Sequence, residues 1–161
     1  MIHNLYGPTE ASVDVSYYAT SKQDKIIPIG RPIWNTGLYV LDKNNSVVPI
    51  GISGEICISG EGLARGYLNK PDLTAEKFIA HPYKVGERMY RTGDLGRWLR
   101  DGNIEYLGRI DDQVKIRGYR IELGEIASAL QELEGLEQAL VICKTDSSSH
   151  KVLIGMCPIC L

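Results

Sequence analysis

The sequence predicts an α+β fold, with a β-rich stretch over roughly the first hundred residues and a smaller β-α-β piece after it. Three observations predict it. Short extended segments alternate with Gly, Pro and Asn turns up to about Arg109. A single strongly amphipathic helix follows, with an apolar strand on either side. The 161 residues are 43% apolar and 24% charged, which suits a globular chain of one domain or parts of two.

The elements follow in order. Gly37-Leu38-Tyr39-Val40-Leu41-Asp42 is β-rich and stops at the turn cluster Lys43-Asn44-Asn45-Ser46. Val47-Val48-Pro49-Ile50-Gly51 leads into the strand Gly54–Ser59. A helix is expected over Leu73–Ile79, because Pro71-Asp72 is a start signal. Ile104–Leu107 is a strand entered through the turn Asp101-Gly102-Asn103. Gln113–Arg117 alternates at period two, with Val114 and Ile116 on one face. The clearest helix spans about Leu123–Glu134, where Ile126, Leu130 and Leu133 form one stripe. Glu122 and Glu125 favour its start and Gly135 its stop. Strands over Gln138–Cys143 and Lys151–Ile154 follow, the latter apolar enough to need a partner beyond it. Turn chemistry gives way to helix-containing sequence near Arg109–Asp112, so the expected parts are residues 1–110 and 111–161. The chain opens inside a structured element and ends abruptly, so it reads as truncated at both ends.

Charge excludes several partner classes. The formal net charge is -2, and neither part is a polybasic arm, so no nucleic acid or anionic membrane is expected as a partner. No apolar run nears the ~20 residues of a membrane-spanning helix. The N-terminus lacks a basic-then-apolar signal pattern, leaving the cytoplasm as the expected compartment. Cys57 and Cys143 read as small buried hydrophobes of strands. Cys157-Pro158-Ile159-Cys160 has no second pair for zinc and no βαβ context for redox chemistry, although metal analysis would test a zinc or redox role.

Four constellations carry chemistry. In Asn4-Leu5-Tyr6-Gly7-Pro8-Thr9-Glu10 the Gly-Pro turn presents a hydroxyl beside a carboxylate, a pair suited to phosphate with Mg²⁺, and Tyr6 could stack on a base. The structural alternative is a helix start with Thr9 as cap. Gly60-Glu61-Gly62-Leu63-Ala64-Arg65-Gly66-Tyr67-Leu68 is one residue longer than the dinucleotide fingerprint and lacks its ~30-residue βαβ unit, so its glycines read as a connection with positive φ. In Tyr90-Arg91-Thr92-Gly93-Asp94 an acid on a Gly turn after a strand could accept from two ribose hydroxyls, or could close an Asx turn. In Gly108–Glu122, Arg109 can offer a planar fork to ribose or phosphate. The run Lys115, Arg117 and Arg120 could attract an anion, or be a solvated strand face.

Together, NLYGPTE, GEICISGEGLARGYL, YRTGDL and GRIDDQVKIRGYRIELGEI resemble four successive core motifs of the adenylate-forming superfamily, specifically the adenylation domains of non-ribosomal peptide synthetases. The resemblance runs from about Asn4 to about Val152. It implies the β-rich end of the large N-terminal subdomain, in its distorted barrel region, followed by the start of the small α+β C-terminal subdomain. It also implies activation of an amino acid by ATP and passage of the acyl group to the phosphopantetheine thiol of a carrier domain, with carrier and condensation domains as partners. Carried over by motif, Asn4 lies beside the base, Tyr6 stacks on adenine, Gly7 belongs to the nucleotide-binding turn, Thr9 contacts the α-phosphate and Glu10 binds Mg²⁺. Asp94 holds the ribose hydroxyls, with Arg109 nearby and Tyr106 flanking the nucleotide. Asp111 matches a hinge, and Gly118 a loop that approaches the pantetheine arm.

Leu5, Val13 and Asp14 match three substrate-pocket positions, and this combination resembles that of serine-activating domains. The family's glycine-rich phosphate loop, its amino-group anchor and its C-terminal catalytic lysine have no counterpart in the sequence, which leaves the family pattern near Met156. The isolated chain is therefore expected not to form adenylate at a useful rate. The competing readings are a fragment of an acyl- or aryl-CoA ligase, and a non-catalytic remnant or interaction module.

Overall fold

A computed structural model describes residues 1–117, 119–133, 136, 138–147 and 150–157. The chain divides into two compact units, Met1–Ile110 and Asp111–Leu161.

The first unit holds two antiparallel sheets. In the smaller, β1 (His3–Tyr6), β2 (Ser16–Ala19) and β3 (Arg31–Pro32) lie in that order, with Leu5 opposite Tyr17 and Tyr6 opposite Ser16. A single 3₁₀ turn, Thr9–Ala11, follows Pro8. The larger sheet contains β4 (Thr36–Leu41), β5 (Gly54–Gly60), β6 (Phe78–Ala80), β7 (Arg88–Trp98) and β8 (Ile104–Arg109). β7 pairs with β5 along one edge, while β6 and β8 share its other edge. Register shifts at Glu55/Cys57 and at Leu95/Gly96 bend this sheet, as bulges do.

The apolar run of β5 is explained by burial on both faces. Ile56 and Ile58 join Val15, Val40, Tyr90 and Ile104 in the main core, whereas Cys57 packs with Leu41 and Met89 in a second cluster. Ile56 and Ile58 are each 1% exposed or less, worth roughly 1.5–3 kcal/mol apiece. Asx chemistry closes the expected turns: Asp42 Oδ1 accepts from the Asn44 and Ser46 amides, and Asp101 Oδ1 from Asn103.

Two expectations for this unit are corrected. The helix α1 runs Pro71–Lys77, and Phe78 and Ile79 are strand residues paired with Tyr90 and Met89. Phe78 reaches the core between the Tyr67 and Tyr90 rings, a burial that one more helical turn would forfeit. Asp94 does not follow a strand; it lies inside β7, which continues through Gly93 (φ 73°) to Trp98.

In the second unit, β9 (Val114–Ile116) and β10 (Tyr119–Ile121) form a hairpin with Val114 opposite Ile121. Helix α2 spans Leu123–Gln131, shorter than expected. Its Leu123 is buried, Ile126 and Leu130 are half-buried, and Leu133 lies beyond its end and is exposed. β11 (Leu140–Thr145) and β12 (Lys151–Met156) make a second hairpin, so the last apolar strand finds its partner behind it in the chain, Ile154 opposite Ile142. Glu134, Gly135, Gly118, Cys160 and the side chains of Lys115 and Arg120 lie outside the described residues. Among the described residues no helix is long and apolar enough to cross a membrane.

Candidate functional site

Asp94 is the centre of the first unit's polar cluster. It is 9% exposed, and the Tyr6 hydroxyl donates to its Oδ2 at 2.6 Å. Arg109, directly opposite on β8, donates to Oδ1 at 2.9 Å and to the Thr92 carbonyl at 3.0 Å. Burial, with the Asp94 charge second, pushes the Tyr6 phenol far above its ordinary value, so it stays a donor. The Tyr106 ring stands 6.5 Å from that of Tyr6, tilted by 43°.

The backbone around Asp94 is fixed by side chains that sequence reasoning missed. Thr92 Oγ1 accepts from the Asp94 amide at 2.9 Å and donates to the Ile56 carbonyl at 2.6 Å. Glu55 accepts from the Gly93 amide at 3.0 Å through Oε1, and from Arg91 at 2.9 and 2.5 Å through Oε2. The signal for this support was an acid and a base placed on neighbouring strands, invisible until the register was known. A carboxylate oxygen has two lone pairs. Tyr6 and Arg109 therefore leave the Asp94 carboxylate capacity for a diol, in a direction they fix.

The opening turn folds as Gly-Pro dictates. A Cβ on Gly7 would lie 2.1 Å from the Val13 carbonyl oxygen, so only glycine lets this crossing form. Val15 then donates to the Tyr6 carbonyl at 2.8 Å. Thr9 begins the 3₁₀ turn and is exposed; it does not cap it, since Pro8 holds that place. Glu10 is 8% exposed, and its Oε1 accepts from the Tyr67 hydroxyl at 2.8 Å. That hydroxyl lies 3.5 Å from the Tyr90 hydroxyl. Burial chiefly, then the contacts with Tyr90 and Glu10, raises the Tyr67 phenol well above its usual range.

Asn4 donates to the Pro28 carbonyl at 2.8 Å. Leu5 and Val13 are 55% and 67% exposed, and Asp14 is exposed as well. Asp111 opens the second unit, exposed, with its Oδ1 accepting from the Gln113 amide at 3.2 Å.

The donor set bears on magnesium. Among the described residues no group of three or more His, Cys, Asp or Glu could enclose a metal ion. Mg²⁺ is commonly held by one or two carboxylates plus phosphate oxygens and waters. Glu10, a hydrogen-bonded carboxylate, fits that arrangement and no all-protein cage.

The sequence of residues 1–68 matches the family model of AMP-binding enzymes. The chain is 57% identical over 153 residues to tyrocidine synthase 3 of Brevibacillus parabrevis, covering 95% of this chain and 2% of that protein. It is 56% identical over 152 residues to bacitracin synthase 3 of Bacillus licheniformis, covering 94% and 2%. The chain thus spans only a few per cent of the length of these relatives. Among solved structures it resembles PA1221, an NRPS protein containing adenylation and PCP domains, with TM-score 0.81, 31% identity, and 96% of this chain and 32% of that chain covered. It also resembles a four-domain nonribosomal peptide synthetase bound to AMP and glycine, with TM-score 0.63, 42% identity, and coverage of 96% and 12%.

Proposed function

On the premise that this chain belongs to the AMP-binding enzymes, as an adenylation-domain segment of the nonribosomal peptide synthetase kind, we propose that it supplies part of the nucleotide site of an amino-acid-activating enzyme. In that reaction a carboxylate oxygen of the amino acid bonds to the α-phosphorus of ATP. The bond from that phosphorus to the bridging oxygen breaks and pyrophosphate leaves. The thiol sulfur of a carrier's phosphopantetheine then attacks the acyl carbon, and AMP leaves. Carrier and condensation domains are the proposed partners, and the cytoplasm the proposed compartment.

The observation that carries this reading is the convergence of Tyr6, Asp94, Arg109 and Tyr106 within one unit. A carboxylate aimed by two donors suits the ribose diol. Two aromatic rings suit the base, with Asn4 at its edge, and Gly7 sets the turn on which Thr9 can meet the α-phosphate. Glu10 would hold Mg²⁺, which would neutralise charge on the phosphates. Leu5, Val13 and Asp14 would line the amino-acid pocket. Serine is the proposed substrate, because an acid there suits a small polar side chain. Asp111 is the proposed hinge, as it begins the second unit. Gly118, outside the described residues, is the proposed pantetheine-side position.

Calorimetric titration of the chain with AMP tests the reading. Binding that falls at least tenfold in Asp94→Ala is expected, and equal affinity in the two proteins overturns it. A panel in which another amino acid, but not serine, raises the affinity for ATP overturns the serine choice.

A further inference from the structure

The glycine-rich connection Gly60–Leu68, which takes no part in the reading above, wraps around the turn that carries Glu10. The Ala64 amide donates to the Glu10 carbonyl at 2.8 Å, and Ser12 Oγ donates to the Gly62 carbonyl at 2.7 Å. A Cβ on Gly62 would come within 3.3 Å of the Ala11 carbonyl oxygen, so the two backbones pass closely. At the end of the connection the Tyr67 hydroxyl donates to Glu10 Oε1. Tyr67 is itself held at both ends. Thr74 Oγ1 accepts from its amide at 2.9 Å, and its ring stacks edge-on to Phe78 at 5.7 Å.

We propose that Tyr67 is a positioning residue for the magnesium nucleotide, its hydroxyl fixing the plane of the Glu10 carboxylate so that the carboxylate is aimed before metal and phosphate arrive. This rests on the assignment of Glu10 as the magnesium carboxylate. The terminal torsion of a glutamate is broad, so an unrestrained carboxylate samples many planes. Mg²⁺ demands near-ideal octahedral geometry, and outer hydrogen bonds that orient a ligand typically change metal affinity 10–100-fold. The connection thereby acquires a purpose beyond joining β5 to α1: it delivers one hydroxyl to one carboxylate.

The test uses the 161-residue chain and two ligands. AMP without metal is titrated calorimetrically, and Mn²⁺ binding to the ATP-loaded chain is followed by electron paramagnetic resonance. In Tyr67→Phe, AMP affinity is expected to stay within about twofold and Mn²⁺ affinity to fall about tenfold or more. Replacing Tyr67 by p-aminophenylalanine, which keeps a donor there, should restore Mn²⁺ binding whatever the melting temperature of Tyr67→Phe. Ser12→Ala cuts a bond of the same connection while leaving the Tyr67–Glu10 hydrogen bond in place, and should leave Mn²⁺ affinity within about twofold. Wild-type Mn²⁺ affinity in Tyr67→Phe overturns the proposal. So does a loss in Ser12→Ala equal to that in Tyr67→Phe, which would make the effect one of loop loosening. A wild-type chain that binds AMP but gains nothing from Mn²⁺ with ATP overturns the Glu10 assignment instead, and one that binds neither ligand overturns the nucleotide site itself.

Discussion

The Tyr6 hydroxyl donates to Asp94 Oδ2 at 2.6 Å across 88 positions of sequence, joining the opening turn to the middle of β7. The ring and the hydroxyl of Tyr6 therefore have separable tasks. Tyr6→Phe removes a hydrogen bond to a charged group and should lower stability by about 1.5–3 kcal/mol in urea unfolding while keeping the ring. Tyr6→Ala should also weaken AMP binding about tenfold, the worth of one lost stack. Equal AMP affinity in the two variants would show that the ring does not meet the base.

Glu55 supports Asp94 from beneath, through the Gly93 amide and Arg91. Glu55→Ala strands a buried backbone donor and should cost about 1–3 kcal/mol. Because Gly93 precedes Asp94, AMP affinity should fall as well. A variant that loses stability yet binds AMP unchanged would confine Glu55 to folding.

His81 gives the first unit an acid-sensitive clasp. Its Nδ1 accepts from the Tyr83 amide at 3.0 Å, so its proton sits on Nε2. Tyr83 in turn donates to the Asn45 carbonyl at 3.1 Å and accepts from the Val47 amide at 3.0 Å. Burial, then the nearby Lys84 charge, holds the imidazole below its ordinary value, with Glu87 opposing. The unfolded chain thus takes up this proton at higher pH than the folded one. The contribution of His81 is fully present above about pH 6.5 and is lost as pH falls through the lower, folded value. Urea midpoints measured from pH 7.5 to 5 should fall more steeply for the wild type than for His81→Asn, which keeps an acceptor; parallel curves would remove His81 as the cause.

Cys57 is 1% exposed, and burial with the Glu55 charge pushes its thiol up to about 12. It should resist a thiol reagent such as dithionitrobenzoate in the native chain and react only on unfolding. Cys143 and Cys157 are half-buried and should react before Cys57. Fast labelling of Cys57 under native conditions, read by mass spectrometry, would contradict the packing of β5.

Leu5 and Tyr17 face each other across β1 and β2, and both are about half exposed. Val13 at 67% and Trp34 at 94% add to the apolar surface of this unit. The chain should self-associate at micromolar concentration in sedimentation velocity, and Leu5→Lys with Tyr17→Lys should reduce that. A monodisperse wild type would argue against a sticky face.

Much of this was legible in the sequence, and the failures share a cause. β5 and β8 follow from their apolar runs and the turns that bound them, and α2 from its helical apolar spacing, all of them local signals. Phe78 belongs to a strand and not to the helix because its partner, Tyr90, lies twelve residues on and outweighs the helix start at Pro71. Asp94 read as a turn residue because Gly93 marks a bend; the pairing of β7 with β5 and β8 carries the strand through it. The motif residues announced themselves by type, whereas Tyr67, Thr92 and Glu55 act through contacts to residues distant in sequence, and no spacing rule reaches them.

β7 sets a length as well as a sheet. Tyr90, whose hydroxyl lies 3.5 Å from that of Tyr67, and Asp94, which receives Tyr6, are four positions apart on β7, with the register shift against β5 and Gly93 (φ 73°) between them. Both ends of the opening turn are thus anchored to one bulged stretch of a single strand. Lengthening the surface loops on either side would leave this interval untouched, whereas one residue inserted between Tyr90 and Asp94 would alter the bulge and put the two anchors out of step.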